Sequence, residues 1–130
     1  MIVDTSAVIA VLRNEPDALE FARAMQSEPT CRMSAVSYVE AGVVTDANLN
    51  PVLSRRLNTL LEDMRIELMA VTLKQAEIAR QAYRDFGKGR HKAGLNLGDC
   101  FAYALAKEMN EPLLFKGEDF RQTDVEVADL

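Results

Sequence analysis

Short apolar runs alternate with longer segments of helical periodicity along the whole chain, and this alternation is the strongest constraint on the fold. Apolar residues recur three and four positions apart in the longer segments, which is typical of helices. The runs predicted as strands are residues 2–3, 30–33, 66–71 and 112–115, with 125–127 as a short fifth strand. Strands separated by helices need crossover connections, so the chain is predicted to be α/β, with a mainly parallel sheet of four to five strands covered on both faces.

Capping residues mark where the predicted helices begin. Ser34, Thr72 and Asn96 each stand directly before a segment of helical spacing, where a side-chain oxygen can accept a hydrogen bond from a free backbone N–H. Asn50 is followed by Pro51, and proline is favoured at the first position of a helix. The helix after Ser34 is predicted to bury an apolar face made of Val36, Val39, Val43, Val44 and Ala47.

Length and composition indicate one domain. The 130 residues carry a net charge of −5 and are 48% hydrophobic, which suits a single core, and we expect one domain over residues 1–130. No apolar run approaches the ~20 residues of a membrane span, and residues 1–4 lack the basic segment of an export signal. Cys31 and Cys100 are too few for a disulfide framework, so we expect two buried thiols in a cytoplasmic protein.

Four carboxylates stand just beyond predicted strands. Asp4 follows the first strand, Glu40 lies in the helix after the second, Asp99 begins a late helix, and Asp119 follows the strand at 112–115. The carboxyl ends of parallel strands meet at one edge of a sheet, and chemistry collects at that edge. Taken alone, Asp4 is explained equally well as a helix cap, and Asp99 is explained more readily by a capping box with Asn96. Together, the four acids are predicted to converge.

Glu40 is the acid that a capping role does not explain. It lies beside the predicted apolar face of its helix, and no Lys or Arg stands three or four residues away to neutralise it. An unpaired buried carboxylate costs several kcal/mol or takes up a proton, so a cation is its natural partner. Oxygen ligands, a single histidine and no paired thiols favour Mg²⁺, with Mn²⁺ as the alternative, over zinc.

Such a site suits phosphodiester hydrolysis with water as the nucleophile. The chain has no G-x-S-x-G elbow, P-loop or dinucleotide fingerprint, and His91 alone cannot supply a pair of catalytic histidines. Residues 84–92 carry a net charge of +3, which leaves −8 for the rest of the chain. The predicted RNA-binding residues of this segment are Arg84, Lys88, Arg90 and Lys92. Tyr83, Phe86 and Tyr103 are near enough in sequence to stack on bases, although helical spacing favours core packing.

Four segments together resemble the PIN-domain family, and most closely VapC-type toxins of bacterial toxin–antitoxin pairs. They are MIVDTSA at 1–7, SYVE at 37–40, NLGDCF at 96–101 and LLFKGEDF at 113–120. The resemblance extends from residue 1 to about residue 124. It implies a Rossmann-like three-layer sandwich and a Mg²⁺- or Mn²⁺-dependent endoribonuclease that inhibits translation by cutting tRNA or rRNA. It also implies a cognate antitoxin as partner and a homodimer, within a larger toxin–antitoxin assembly in many members.

The resemblance assigns roles to six positions. The metal-site and catalytic positions that match are Asp4, Glu40, Asp99 and Asp119, and the supporting positions are Ser6 and Asn96. Many members carry an Asp two residues before the Asp-Phe pair, where this chain has Gly117. Asp124 is therefore a second candidate for the fourth acid, and one or two metal ions remain open.

Two other functions are weighed against a ribonuclease. A receiver-type signalling domain also combines about 130 residues, α/β alternation and Mg²⁺-binding acids. It would carry a phospho-acceptor Asp after the third strand, whereas this chain has Ala70 and Val71 near that point. The remaining alternative is a binding partner whose metal site is filled but inactive.

Overall fold

Four parallel strands form the sheet in the computed structural model, which describes residues 1–47 and 49–130. The first half of the chain contains β1 (Ile2–Val3), α1 (Thr5–Leu12), α2 (Ala18–Ser27), β2 (Cys31–Ser34) and α3 (Ala35–Asp46). The second half contains α4 (Pro51–Asp63), β3 (Ile66–Met69), α5 (Leu73–Phe86), α6 (Leu97–Met109), β4 (Leu113–Leu114) and a 3₁₀ turn (Phe120–Gln122). The α/β prediction with a parallel sheet is confirmed. The predicted fifth strand is reduced to one parallel bridge between Leu113 and Val127.

The strand order is β3-β2-β1-β4, so β1 lies inside the sheet. Ile2 is in register with Arg32 of β2 and with Leu113 of β4, and every pair of neighbouring strands is parallel. The chain therefore leaves β1, β2 and β4 at the same edge. Asp4 follows β1 at this edge, and α3 follows β2 directly.

Adjacent strand residues belong to cores on opposite faces of the sheet. Val3 and Leu114 pack with α1, α2 and α4, whereas Ile2 and Leu113 pack with α5 and α6. This alternation is the period of two that a strand requires when both its faces are covered. The predicted three-layer sandwich is therefore confirmed.

The predicted helix starts are also borne out by hydrogen bonds. Ser34 accepts from the N–H of Val36, Asn50 from Val52, Thr72 from Gln75 and Asn96 from Asp99. Cys31 and Cys100 are both buried and free, as expected. In the part of the chain that is described, no helix has the length and apolar character to cross a membrane.

The predicted apolar face of α3 is wrong. Val39 and Val43 are 58% and 64% exposed, and the buried residues of the helix are Ser37, Ala41 and Thr45. Small side chains allow α3 to pack close to its neighbours, so Val39 and Val43 face outwards, whereas Val44 is half-buried against the core. The four valines of the helix have different exposures, and all four contribute to a groove. They line an open groove of about 540 Å³, the α3 groove, formed by Ala35, Val36, Val39, Glu40, Val43 and Val44.

Candidate functional site

Asp4 directly follows β1 and is held in place at the sheet edge. It is 4% exposed and caps α1, because its Oδ2 accepts hydrogen bonds from the Ser6 N–H at 3.0 Å and from Ser6 Oγ at 2.6 Å. Ser6 Oγ in turn accepts from the backbone N–H of Lys116 at 2.9 Å, just after β4. Ser6 therefore links the first acid to the end of the neighbouring strand.

Glu40 reaches from α3 towards the starts of α1 and α6. Thr5 Oγ1 donates to the Ser37 carbonyl at 2.9 Å and lies 3.4 Å from Glu40 Oε1. On the other side the carboxylate rests against Gly98, where a Cβ atom would overlap it. Sequence reasoning did not single out Thr5 or Gly98. The available signal was their position in the sequence, since Thr5 is next to Asp4 and Gly98 is next to Asp99.

Asp99 is held at the start of α6 by a reciprocal pair of hydrogen bonds. Its N–H donates to Asn96 Oδ1 at 2.8 Å, and its Oδ2 accepts from the Asn96 N–H at 3.0 Å. This is a capping box, in which the two residues satisfy each other's free backbone donors. The structure therefore places Asn96 directly behind the third acid, with its side chain fixed.

The carboxylates lie close enough to raise each other's proton affinity. Burial raises the pKa of Glu40 to about 7, and the negative charges of Asp4 and Asp99 add to the effect. Burial likewise raises the pKa of Asp99 to about 6, with repulsion from Asp4 and Asp119 as further causes. The pKa of Asp4 is also raised by burial, although the Ser6 hydrogen bonds oppose the change. None of these four acids forms an ion pair with a basic group in residues 1–47 and 49–130.

The two candidates for the fourth acid have different surroundings. Asp119 is exposed at the start of the 3₁₀ turn, and its charge acts on Asp99. Asp124 accepts hydrogen bonds from Tyr103 Oη at 2.5 Å and from Lys107 Nζ at 3.2 Å, and these partners lower its pKa. The carboxylate of Asp124 is thus occupied elsewhere, whereas Asp119 belongs to the group around Asp99.

The donor atoms of this group suit a hard, hydrated cation. Within the described ranges, no three acidic, histidine or cysteine side chains are arranged as a cluster that could hold a metal ion. Mg²⁺ commonly contacts only one or two carboxylates directly and keeps several water ligands, so a complete protein cage is not needed. Carboxylates without basic partners, beside a glycine that leaves room for Glu40, fit Mg²⁺ or Mn²⁺ on this ground.

From Gly87 onwards the basic segment forms a loop between α5 and α6, the basic loop, while Arg84 lies in the last turn of α5. The N–H of Lys88 donates to Leu95 O at 2.9 Å, and the N–H of Leu95 donates to Phe86 O at 2.9 Å. His91 supports this loop, since its Nδ1 accepts from the Ala93 N–H at 3.0 Å and its ring packs edge-on against Phe86. All four predicted RNA-binding residues are exposed, and none is ion-paired in the part of the chain that the structure covers: Arg84, Lys88, Arg90 and Lys92.

Comparison with known families decides which proteins share this arrangement. Residues 1–126 match the PIN domain. The chain belongs to the PIN-domain family. It is 52% identical over 129 residues to "VapC ribonuclease Mb0625" of Mycobacterium bovis, covering 98% of this chain and 97% of the relative, and so belongs with the VapC proteins. The resemblance deduced from the four sequence segments is confirmed.

Two solved structures share the fold of this PIN domain at low sequence identity. A toxin–antitoxin complex from Klebsiella pneumoniae matches with a TM-score of 0.73 and 17% identity, over 95% of this chain and 92% of that one. The Mycobacterium tuberculosis toxin VapC20, described as cleaving the sarcin-ricin loop, matches with a TM-score of 0.70 and 17% identity, over 98% of both chains. At these identities the comparison supports the fold alone.

Proposed function

We propose that this PIN-domain protein is the toxin of a toxin–antitoxin pair and a Mg²⁺- or Mn²⁺-dependent endoribonuclease. It cuts RNA, either tRNA or rRNA, and thereby inhibits translation. The proposal is supported by Asp4, Glu40 and Asp99 lying near enough for their charges to raise one another's pKa, with no ion-pair partner for any of them among residues 1–47 and 49–130. A relative 52% identical over nearly the whole chain is named a ribonuclease, which supports the same activity.

The side chains divide the work of hydrolysis by their positions. Hydrogen bonds from Ser6 and Asn96 orient Asp4 and Asp99 in the absence of RNA. A divalent cation bound between the acids would polarise the phosphoryl group and lower the pKa of the attacking water. The basic loop offsets the repulsion between the RNA backbone and the acids.

Antitoxin binding is proposed at the α3 groove. The groove is largely apolar and its lining includes Glu40, so a segment that lies in it can also reach this acid. An apolar helix or strand carrying a Lys or Arg would fill the groove and pair with the carboxylates, which would block RNA. A structural neighbour solved as a toxin–antitoxin complex supports this kind of partner. A homodimer is proposed on family likeness.

Cleavage of total RNA by the purified protein tests the activity. We expect cuts that need Mg²⁺ or Mn²⁺ and that map to a few sites, and we expect Asp4→Asn and Asp99→Asn to abolish them. Asp63→Asn, which changes an exposed acid on α4, is the matched control and should cleave normally. Cleavage that survives a chelator, or an Asp99→Asn protein that cuts as fast as the parent, would rule out the proposed site.

A further inference from the structure

A second hollow lies between α5, the start of α6 and the basic loop. Its volume is about 390 Å³, within the range of small-ligand pockets. Two alanines of α5 form part of its lining. The larger residues around it are Arg80, Tyr83, Arg84, Arg90, Leu97 and Phe101. We call this hollow the α5–α6 pocket.

The spacing of side chains on α5 explains the pocket. Ala76 and Ala79 are too small to fill the space towards α6, while Arg80, Tyr83 and Arg84 stand four, seven and eight positions after Ala76, on the same face. The pocket therefore combines a small-residue hollow with an aromatic and cationic rim.

Of Tyr83, Phe86 and Tyr103, Tyr83 is the residue whose side chain is exposed at the pocket. Phe86 and Tyr103 pack against each other with ring centroids 5.8 Å apart, and the Tyr103 hydroxyl donates to Asp124. Tyr83 instead is 37% exposed at the pocket. An exposed aromatic face among positive charges is the combination that single-stranded nucleic acid requires, since bases stack and phosphates need cations.

The charge of the pocket favours a polyanion. Arg80, Arg84 and Arg90 enter its lining from α5 and from the basic loop, and none of the three has an ion-pair partner among the residues that are described. Guanidinium groups suit phosphate because they offer several N–H donors in a planar fork. Three unpaired arginines around one hollow therefore point to phosphate rather than to an apolar protein segment.

The pocket adjoins the acids. Leu97, in its lining and 69% exposed, is followed directly by Gly98, against which the Glu40 carboxylate rests. Asp99 lies in the same first turn of α6. An RNA strand that crosses the carboxylates can therefore continue into the pocket within a short distance.

We propose that the α5–α6 pocket binds one unpaired nucleotide of the RNA substrate. Its base stacks on Tyr83, and the adjoining phosphates contact Arg80, Arg84 and Arg90. This inference rests on the ribonuclease activity proposed above and adds to it a preference for RNA with an unpaired nucleotide beside the cut.

Binding of a defined oligonucleotide tests the pocket without cleavage. The probe is a fluorescently labelled single-stranded RNA of six adenosines, and the protein is the full chain with Asp99→Asn. Adding Tyr83→Leu should weaken binding roughly 5- to 100-fold, as expected for one lost base–aromatic stack, whereas Tyr83→Phe keeps the ring and should bind within about twofold. A further set of probes each carries a single abasic site, at a different position in each probe. One of these probes should bind equally well whether residue 83 is tyrosine or leucine.

The salt dependence of binding separates the arginines from Tyr83. Arg80→Gln should reduce the slope of log affinity against log salt by about 0.7, the value for one phosphate contact to a single strand. Tyr83→Leu should leave that slope unchanged. Arg55→Gln, an exposed arginine on α4, is the matched control and should alter neither the affinity nor the slope.

Each contrary result overturns a specific statement. If the parent protein cleaves RNA while Tyr83→Leu, folded by its thermal unfolding curve, binds RNA as well as Tyr83→Phe, the pocket proposal fails and the ribonuclease stands. If the parent protein neither cleaves nor binds RNA, both fail. If Tyr83→Leu changes the sedimentation of the protein but not RNA binding, the pocket is a contact between two copies and the proposal is wrong.

Discussion

Replacing Glu40 by glutamine is expected to stabilise the metal-free protein and to abolish RNA cleavage. Glutamine has nearly the shape of glutamate, so it can keep the contacts with Thr5 Oγ1 and Gly98. What the substitution removes is the negative charge, which burial and the nearby charges of Asp4 and Asp99 make unfavourable. We therefore expect this one substitution to make the metal-free protein more stable and to abolish its activity.

The magnitude follows from the pKa of Glu40. Its pKa is about 7 in the folded protein against an ordinary value of 4.5, so the folded state holds this proton more tightly than the unfolded state does. The stability that protonated Glu40 contributes is therefore fully present below pH 4.5 and is lost as the pH rises to about 7. The full difference corresponds to about 3 kcal/mol, and solvent around the partly exposed side chain reduces it, so we expect about 1–3 kcal/mol. This is a rise in melting temperature of roughly 4–12 °C at pH 8.

Thermal unfolding in a chelating buffer, from pH 4 to pH 8, measures this difference. The curves of the parent and of Glu40→Gln should separate with increasing pH and meet near pH 4, where the parent glutamate is already protonated. Glu62→Gln, an exposed glutamate on α4, should follow the parent within about 0.5 kcal/mol. A Glu40→Gln protein that melts at or below the parent temperature at pH 8 would refute the claim that burial and the neighbouring acids make the charge of Glu40 unfavourable.

Three further substitutions or additions test the same site. Gly98→Ala should lower cleavage at least tenfold with little change in melting temperature, because its Cβ displaces the movable carboxylate of Glu40 rather than backbone; normal cleavage would contradict the contact. Ser6→Ala should cost about 1–2 kcal/mol in urea unfolding, since it removes a donor to Asp4 and leaves the Lys116 N–H without its acceptor; an unchanged midpoint would count against this link. Mg²⁺ at ten times its dissociation constant should stabilise the parent by about 1.4 kcal/mol, and Asp4→Asn much less; equal shifts in calorimetry would place the ion elsewhere.

Features of the fold that depend on neighbours in sequence could be predicted. Asn50 before Pro51, and Asn96 three residues before Asp99, form their capping interactions within one turn, so the sequence contains all the information. The alternation of strands and helices predicts crossovers and a parallel sheet. Asp4 follows β1 and Glu40 lies in the helix after β2, so a parallel sheet alone predicts that these two acids share an edge. Asp99 lies in the first turn of α6 and follows no strand directly, so its place beside them stays a prediction from the resemblance.

Features that depend on which surfaces meet could not be predicted. The valines of α3 have the spacing of a buried face, yet the helix packs through Ser37, Ala41 and Thr45, because periodicity does not reveal how close a neighbour approaches. The role of Gly98 could not be predicted for the same reason. It depends on the close approach of α3 to the start of α6, and a single sequence does not reveal that approach.

The capping and site interpretations of Asp4 and Asp99 were weighed as alternatives, and the geometry makes them complementary. Asp4 caps α1, and Asp99 lies in the first turn of α6, so each carboxylate sits at the positive end of a helix. The exposed N–H groups and the helix dipole partly offset the repulsion that bringing these acids together creates. Glu40, in the interior of α3, has no such compensation and depends on a hydroxyl contact from Thr5. A cation that neutralises the group should therefore benefit Glu40 more than the two aspartates, which makes Glu40→Gln the sharpest probe of the site.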